Sequence, residues 1–247
     1  TGATGFLGRE MAIGLANMGA TIHVNARTET NCSKLVSNII SKGFKAKNAC
    51  FDVTNEEQVS KYIETIDSLD VLINNSYAGL GGTIISSNSK DYLNSYASSV
   101  VASANLIKLL EPKLKIAALN KGNASIINIA SMYGMVSPDK RIYESESTTN
   151  PPFYGASKAA LIQLTKYAAC EFADRNIRVN SISPGPFPSD ESQEQLQDTI
   201  NSIISKVPMG RVGKPKELVG PVAFLASDFS SFITGINLPV DGGWTAW

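Results

Sequence analysis

The chain has 247 residues, of which 43% are hydrophobic, and its formal net charge at pH 7 is zero. A chain of this size and composition can bury a core large enough for one α/β domain. The balanced charge argues against a nucleic-acid partner. Because no apolar run approaches the roughly 20 residues of a membrane-spanning helix, we also expect no membrane partner.

The three cysteines, Cys32, Cys50 and Cys170, are scattered without a CxxC pair or a metal-binding spacing. An odd and sparse set of cysteines is typical of reduced thiols. We therefore predict a cytoplasmic protein without a metal site. The chain opens directly on a glycine-rich turn, so we expect a few further residues, forming a strand, to precede Thr1.

Short apolar runs rich in Ile and Val alternate with longer helical patterns along the chain. The predicted strands are Ala20–Asn25, Lys45–Phe51, Leu69–Asn74, Ser125–Ala130, Ile177–Ile182 and Ile236–Val240. The predicted helices are Arg9–Met18, Cys32–Ser41, Glu56–Ile66, Asp91–Ala118, Ala156–Asp174 and Lys214–Ala226. This alternation predicts a doubly wound parallel sheet of the Rossmann type, in a single α/β domain over residues 1–247. Two polar loops, 137–153 and 184–194, interrupt the pattern, and we expect the insert 137–153 to form a substrate loop.

The turn Thr1–Gly8 leads into the first predicted helix. Glycines let a backbone approach a pyrophosphate closely, and a helix N-terminus offers free N–H groups and the positive end of a dipole. We therefore predict that Gly2, Thr4, Phe6 and Leu7 bind a dinucleotide cofactor. An ordinary glycine turn is the alternative.

A cation follows the strand Ala20–Asn25, because the next positions carry an alanine and then Arg27. An acid near this position binds the ribose hydroxyls of NAD, whereas a cation suits the 2′-phosphate of NADP. We therefore predict NADP as the cofactor, with NAD as the alternative if Arg27 is only a surface charge. Asp52 and Val53 end the next strand, where Asp52 could bind the adenine amino group or simply start a turn before Thr54.

Tyr154 and Lys158 lie four residues apart near the start of a predicted helix, and therefore on one helical face. A tyrosine phenol has a reference pKa of about 10, which makes it a poor base near neutral pH. A neighbouring ammonium group, joined by a nicotinamide cation in the oxidised complex, favours the phenolate, so we expect the pKa of Tyr154 to be lowered there. Tyr154 could then exchange a proton with a substrate oxygen, while Lys158 binds the nicotinamide ribose.

Ser131 directly follows the strand Ser125–Ala130. The carboxyl ends of parallel strands are where such sheets bind ligands. A hydroxyl there can hold the reacting oxygen near Tyr154, which makes Ser131 the third predicted catalytic residue. A serine that only caps the strand end is the alternative. His23 lies inside a strand, and we interpret it as a packing residue.

Together these residues resemble the short-chain dehydrogenase/reductase family over essentially the whole chain. The resemblance rests on the glycine turn, Asn74-Asn75, Ser131, Tyr154 with Lys158, Arg178–Gly185, Gly210-Arg211 and Val240–Trp244. It implies hydride transfer between a nicotinamide and a secondary alcohol or ketone. It also implies that Pro184 and Gly185 border the nicotinamide, that Asn75 lies near the adenosine ribose, and that the protein is a homo-oligomer, either a tetramer or a dimer.

The sequence departs from the family pattern at two positions that bear on the site. The Asn-Asn-Ala-Gly motif of the family is altered or lengthened here to Asn74–Gly79. Ser99 stands where the family often carries an active-site asparagine, with Asn105 nearby. These departures leave open whether the usual support for Lys158 is complete.

The back half of the chain resembles gluconate 5-dehydrogenases and dehydrogenases of nonulosonic-acid sugar pathways, which implies a sugar or sugar acid as the small-molecule substrate. Lys140, Arg141, Tyr143 and Glu144 in the insert are candidates to bind its hydroxyls or a phosphate, or they form a solvated loop. One alternative is a reductase of 3-oxoacyl thioesters on an acyl carrier protein. A cofactor-binding regulatory subunit with little turnover is the other.

Overall fold

The computed structural model of the protein describes residues 1–79 and 81–247, with Ser147 described by its backbone only. The strands are β1 (Ile22–Ala26), β2 (Ala46–Cys50), β3 (Val71–Asn74), β4 (Ala124–Ile129), β5 (Ile177–Pro184) and β6 (Asn237–Val240). The α-helices are α1 (Phe6–Asn17), α2 (Glu29–Ser41), α3 (Glu56–Ile63), α4 (Ser89–Tyr96), α5 (Ala102–Lys121), α6 (Pro152–Phe172), α7 (Asp190–Gln195), α8 (Gln197–Lys206) and α9 (Val219–Ala226).

The strands pair only in parallel, as β1–β2 and as β3–β4–β5–β6. Helices cover both faces, so the predicted doubly wound α/β sheet is confirmed. A groove of about 620 Å³, lined by residues of β1 and β3, separates the two parts of the sheet. At its end the amino group of Thr1 donates a hydrogen bond to the carbonyl oxygen of Ile73 at 2.6 Å. The strand expected before Thr1 stays a prediction.

Strands β4 and β5 form the centre of the sheet, and every residue in both is buried. Successive side chains of a strand point to opposite faces of the sheet. Ile126 accordingly packs with α5 and α6, whereas Ile127 packs with α1 and α9. Strands buried on both faces are rich in Ile and Val, which makes these runs recognisable in the sequence, and their buried polar side chains form hydrogen bonds, such as that from Asn74 to Asn128.

Two helical predictions need correction. The helix predicted to start at Ala156 begins at Pro152, because a proline is well suited to the first turn of a helix, where its missing N–H is not needed. The predicted helix Asp91–Ala118 is not continuous, since a π-helical turn over Ala97–Val101 separates α4 from α5. Such turns insert one extra residue and often lie at functional sites.

The polar loop predicted over 184–194 is wrong in its second half, because α7 starts at Asp190 and α8 follows it directly. The Ser189 hydroxyl caps α7 by accepting a hydrogen bond from the backbone N–H of Ser192 at 3.2 Å. A serine followed by acidic residues is a helix-start signal that the sequence contains. The other predicted elements are present, with ends that differ by up to five residues.

Candidate active site

A cleft of about 950 Å³ runs along the carboxyl ends of the strands. It is lined by all of the predicted catalytic and cofactor-binding residues: Gly2, Thr4, Phe6, Leu7, Arg27, Asp52, Val53, Asn75, Ser131, Tyr154, Lys158, Pro184 and Gly185. Residues that are far apart in the chain meet here because all the parallel strands end at this edge.

The glycine turn lies at one end of the cleft. Gly2 has a φ of +60°, a backbone conformation that residues other than glycine rarely adopt. A Cβ atom on Gly8 would lie 2.2 Å from the carbonyl oxygen of Gly2, so only glycine lets α1 start this close to the turn. Because α1 has no side-chain cap and no acidic residue in its first turn, its free N–H groups suit an anion.

Asn75 joins this turn to β3. Its side-chain amide donates hydrogen bonds to the carbonyl oxygens of Thr1 and Gly2, both at 3.2 Å. Its backbone N–H donates to the Thr1 hydroxyl at 3.0 Å. The observed role of Asn75 is therefore to brace the turn, and its contact with an adenosine ribose stays a prediction.

Arg27 and Asp52 lie on the same side of the cleft, beyond the turn. One carboxylate oxygen of Asp52 accepts hydrogen bonds from the backbone N–H of Thr54 at 2.9 Å and from its hydroxyl at 2.7 Å. The backbone hydrogen bond is the main reason that the pKa of Asp52 is lowered, and Arg27 adds to it. Asp52 thus starts a turn, which was the alternative interpretation, and an adenine contact stays a prediction.

Lys158 is almost completely buried at the other end of the cleft, with 3% of its surface exposed. Its ammonium group donates a hydrogen bond to the carbonyl oxygen of Ile129 at 2.7 Å. Burial in a low-dielectric environment disfavours the charged form and lowers the pKa of Lys158 to about 8. A lysine with this pKa exchanges its proton much more readily near neutral pH than an exposed lysine does.

Tyr154 lies in the first turn of α6, beside Lys158. The lysine ammonium is 5.7 Å from the centre of the tyrosine ring. Burial raises the pKa of Tyr154, and a hydrogen bond with Ser131 lowers it in part. In the protein alone, desolvation of the phenol thus outweighs its favourable interactions, and the lowered pKa of Tyr154 expected for the oxidised complex stays a prediction.

Ser131 meets Tyr154 because the start of α6 packs tightly on the turn after β4. A Cβ atom on Gly155 would lie 2.7 Å from the carbonyl oxygen of Tyr133. The Ser131 hydroxyl also accepts a hydrogen bond from the backbone N–H of Tyr133 at 3.1 Å, so it caps the strand end as well. Both interpretations of Ser131 are thus compatible with its position.

Pro184 ends β5, Gly185 follows it, and both line the cleft. The backbone N–H of Gly185 donates to the carbonyl oxygen of Val240 at 3.0 Å. A Cβ atom on Gly185 would lie 2.5 Å from the Cα atom of Asp241. This close packing fixes the loop that faces the catalytic end of the cleft.

A family profile described as enoyl-(acyl carrier protein) reductase matches residues 2–245. The chain belongs to the short-chain dehydrogenase/reductase family. A tropinone reductase homolog, At2g29150 of Arabidopsis thaliana, is 34% identical over 253 residues, covering 98% of this chain and 88% of that protein. The 3-oxoacyl-[acyl-carrier-protein] reductase FabG of Thermotoga maritima is 30% identical, covering 98% and 95%.

The fold is also similar to a solved dehydrogenase structure. A gluconate 5-dehydrogenase from Burkholderia cenocepacia J2315, in complex with NADP and tartrate, superposes with a TM-score of 0.88. The two chains are 28% identical, and the match covers all of this chain and 94% of that one. The chain is therefore an oxidoreductase of the short-chain dehydrogenase/reductase type.

Tyr77 is a residue of the site that the sequence analysis missed. Its ring centre lies 4.8 Å from that of Tyr154, with an interplanar angle of 77°. The ammonium of Lys158 lies 5.4 Å from the centre of the Tyr77 ring. The signal was available, because Tyr77 belongs to the altered Asn74–Gly79 segment.

Ser99, at the position where the family often has asparagine, does not line the described part of the cleft. It is buried in the π-helical turn, and its hydroxyl donates to the carbonyl oxygen of Ser95 at 3.0 Å. Asn105 binds the Glu56 carboxylate on α3 at 2.9 Å and is also outside the cleft. Neither residue supports Lys158 directly in this short-chain dehydrogenase.

The insert packs on α8 instead of extending into solvent. Glu144 accepts a hydrogen bond from the Thr199 hydroxyl at 3.2 Å, and the hydroxyls of Tyr143 and Tyr133 lie 2.8 Å apart. Lys206 of α8 forms an ion pair with Asp139, which also binds Arg141. The insert residues expected to bind substrate hydroxyls therefore do not line the described cleft, and three of them, Arg141, Tyr143 and Glu144, bind neighbouring protein groups instead.

Other predictions concern what the site lacks. Within residues 1–79 and 81–247, no group of three or more His, Cys, Asp or Glu side chains could hold a metal ion. In the same ranges, no helix is both long enough and apolar enough to cross a membrane. His23 packs edge-to-face on Tyr62, whose hydroxyl lies 2.7 Å from its Nδ1 atom, so the packing interpretation of His23 fits.

Proposed function

We propose that this protein transfers a hydride between a nicotinamide cofactor and a secondary alcohol or ketone, with Ser131, Tyr154 and Lys158 as its catalytic residues. The observation that carries the proposal is the meeting of these three side chains in the cleft that also contains the glycine turn. A buried ammonium, a phenol and a hydroxyl together can bind an oxygen and exchange a proton with it.

The residues at the turn fit a dinucleotide. The close approach of Gly8 to Gly2 leaves a cradle without side chains, where the free N–H groups of α1 would bind the diphosphate. Gly2, Thr4, Phe6 and Leu7 would form this contact. Asp52, Val53 and Asn75 would border the adenosine, and Pro184 with Gly185 the nicotinamide, which supplies or accepts the hydride when it is bound.

The protein's own residues handle the substrate oxygen. Ser131 would donate a hydrogen bond to that oxygen and hold it beside the Tyr154 hydroxyl. In the reductive direction Tyr154 would donate its proton to the oxygen, and in the oxidative direction it would accept the proton. The positive charge of Lys158 would stabilise the phenolate form of Tyr154 and bind the ribose next to it.

A Tyr154→Phe variant tests the catalytic assignment. It removes the exchangeable proton but keeps the ring, so we expect turnover to fall by about 10²- to 10⁴-fold while the cofactor still binds. Turnover would be followed by nicotinamide absorbance and binding by fluorescence titration. Turnover close to that of the wild type would exclude Tyr154 as the proton donor.

NADP is the cofactor we favour. Arg27 is exposed and lines the cleft beyond the turn, where a 2′-phosphate would need a cation. The similar gluconate 5-dehydrogenase structure is a complex with NADP, which supports the same choice. Equal dissociation constants for NADPH and NADH would mean that Arg27 is a surface charge and that NAD is also used.

The substrate we favour is a sugar or sugar acid. The similarity to a gluconate 5-dehydrogenase supports it. Two polar side chains from the α4 side, Asn94 and Ser98, line the cleft and could bind substrate hydroxyls. A panel of keto-sugars and keto-sugar acids, assayed with NADPH, tests this choice. Much faster reduction of an acetoacetyl thioester would exclude it.

Reduction of 3-oxoacyl thioesters is the second candidate, and the 30% identity to FabG favours it. The same assay separates the two substrate classes. A regulatory subunit with little turnover is less consistent with a cleft that contains Ser131, Tyr154 and Lys158 together. A complete lack of turnover, with tight cofactor binding, would support that alternative.

Self-association and a cytoplasmic location complete the proposal. Exposed apolar side chains on α4, on α5 and near the C-terminus support a tetramer or dimer, among them Leu93, Leu119, Phe229, Phe232 and Trp247. The three cysteines are free thiols, which fits a reducing compartment. Light scattering of the eluting protein would give the number of subunits.

A further inference from the structure

The Lys158 ammonium has unusual surroundings for a charged group. It has three N–H donors, and its hydrogen bond to the described protein is the one to the carbonyl oxygen of Ile129. The faces of two aromatic rings lie near it, with centres at 5.4 Å for Tyr77 and 5.7 Å for Tyr154. A desolvated cation gains stabilisation from the electron-rich face of a ring at this distance.

Tyr77 is held in this place from two sides. A Cβ atom on Gly79 would lie 2.3 Å from the Tyr77 hydroxyl oxygen, so the ring fits only because residue 79 is glycine. The Ser95 hydroxyl, at the end of α4, donates to the Tyr77 hydroxyl at 3.4 Å. The Ser95 hydroxyl oxygen also lies 3.0 Å from the Ser157 hydroxyl of α6, which links the Tyr77 ring to the helix that carries Lys158.

We propose that Tyr77 is a positioning residue that holds the Lys158 ammonium in its charged form beside Tyr154 through the face of its ring. This inference rests on the proposed roles of Tyr154 and Lys158. The Tyr77 ring gives Lys158 a contact that Ser99 does not, since the Ser99 hydroxyl donates to the carbonyl oxygen of Ser95 within its own helix. The two departures from the family pattern, the Asn74–Gly79 segment and Ser99, thus concern the surroundings of the same lysine.

The sign of the effect follows from electrostatics. Without the ring face, the charged form of Lys158 is less stable, so the pKa of the lysine falls. A less fully charged lysine stabilises the Tyr154 phenolate less, so the pKa of Tyr154 rises. The other ionisable groups near this pair are Tyr133, from the turn after β4, and Asp91, which lines the cleft from α4.

Three substitutions separate the ring from its hydroxyl. Tyr77→Leu removes the ring face, Tyr77→Phe keeps the ring without the hydroxyl, and Gly79→Ala displaces the Tyr77 ring with a methyl group. Tyr92→Leu is the matched control, because Tyr92 packs edge-to-face on Phe153 of α6 at 5.7 Å but does not line the described cleft. Thermal melting would verify that every variant is folded.

The pKa of Tyr154 is measured without turnover. Each protein and its own Tyr154→Phe counterpart are titrated with base, and the difference in phenolate absorbance gives the titration of Tyr154. We expect Tyr77→Leu and Gly79→Ala to raise this pKa by about half a unit to one unit, which matches the usual strength of such a cation–ring contact. Tyr77→Phe should restore the wild-type titration, and Tyr92→Leu should not change it.

Turnover gives the second measurement. For oxidation of the alcohol, we expect Tyr77→Leu and Gly79→Ala to lower kcat about tenfold at neutral pH and to move the acidic limb of the profile to higher pH. Tyr77→Phe should recover kcat to within about threefold. KM for the substrate should change less than kcat.

Two results would overturn the proposal. A loss in Tyr77→Phe as large as that in Tyr77→Leu would show that the hydroxyl is what matters, through the Ser95 and Ser157 hydroxyls. A fall in the pKa of Tyr154 in Tyr77→Leu would show that the ring only excludes water. If Tyr154→Phe keeps full turnover, the proposed catalytic role fails, whereas the absorbance titrations still decide the role of Tyr77.

Discussion

At the glycine-turn end of the cleft, backbone atoms set most of the geometry, whereas side chains set it at the Tyr154 end. Gly8 approaches the carbonyl oxygen of Gly2, and the Asn75 amide bonds to two backbone carbonyl oxygens. At the other end, the rings of Tyr77 and Tyr154 pack on each other. The difference indicates that the geometry of the first end depends mainly on the backbone, while that of the second also depends on the side chains present.

This contrast agrees with the proposed division of work. The diphosphate is common to all nicotinamide dinucleotides, and the backbone N–H groups of a helix N-terminus can bind it. Substrates differ among enzymes with the same fold, and side chains or inserts can be exchanged without disturbing the sheet. Substitutions that disturb each end of the cleft separately can therefore test whether the two ends are independent.

The largest effect is expected from Gly8→Ala. The new Cβ atom would lie 2.2 Å from the Gly2 carbonyl oxygen and 2.9 Å from the Asn75 amide nitrogen, so the turn must move. We expect a loss of NADPH affinity of about 100-fold or more, with a stability loss of about 1–3 kcal/mol. Fluorescence titration and urea unfolding would measure the two quantities.

Gly220→Ala is the control for this substitution. Gly220 lies in α9, and a Cβ atom there meets no other atom within 4 Å. We expect it to keep full NADPH affinity and to be slightly more stable than the wild type, because alanine favours the helix over glycine. If Gly8→Ala binds NADPH as tightly as Gly220→Ala does, the turn is not a cofactor cradle.

The next effect is expected from Arg27→Gln at the same end. Loss of the cation should raise the dissociation constant of NADPH about tenfold, or about 1.4 kcal/mol, and leave that of NADH unchanged. Arg9→Gln removes the same charge from the exposed face of α1, outside the described cleft, and should change neither constant. Equal weakening by both variants would point to a general charge effect.

The sequence revealed one end of the cleft better than the other. The glycine turn and Arg27 could be predicted because their signals are local in the chain, as could the apolar strands that bring the residues together. The altered Asn74–Gly79 segment points to Tyr77, but the contacts of its ring and those of the insert could not be predicted, because their partners lie on distant elements. The effect of burial on the pKa of Tyr154 could not be predicted for the same reason, since the burial that raises it depends on the tertiary packing.

At the Tyr154 end, Lys158 should destabilise the fold below a pH of about 8. Its pKa is lowered to about 8 in the folded protein, so folding releases a proton between this pH and the normal lysine pKa of about 10.4. Stability from this group therefore rises as the pH increases through that window. Lys158→Met should be more stable than the wild type by roughly 1–3 kcal/mol at pH 7, although inactive.

Urea unfolding at several pH values would measure this difference. We expect the advantage of Lys158→Met to shrink between pH values of about 8 and 10, as the wild-type lysine loses its proton. Lys166→Met is the control, since Lys166 is exposed on the same helix and should show no such dependence. A constant advantage at every pH would mean that Lys158 is not desolvated in the folded protein.

The smallest effect is expected where the insert packs on α8. Asp139→Asn would weaken the contacts with Lys206 and Arg141, and the insert would be held less firmly against the helix. We expect KM for the substrate to rise about two- to fivefold while kcat and the NADPH affinity stay unchanged, because an exposed ion pair contributes little energy.

Glu57→Gln is the matched control for Asp139→Asn, because it breaks an ion pair with Lys61 at 2.7 Å on α3, and neither residue lines the described cleft. Steady-state kinetics with the preferred substrate would compare the two variants. A rise in KM for Asp139→Asn alone would show that the insert shapes the substrate end. A loss of NADPH affinity in Asp139→Asn would instead contradict the independence of the two ends, since the insert would then reach the cofactor through the Tyr154 side chains.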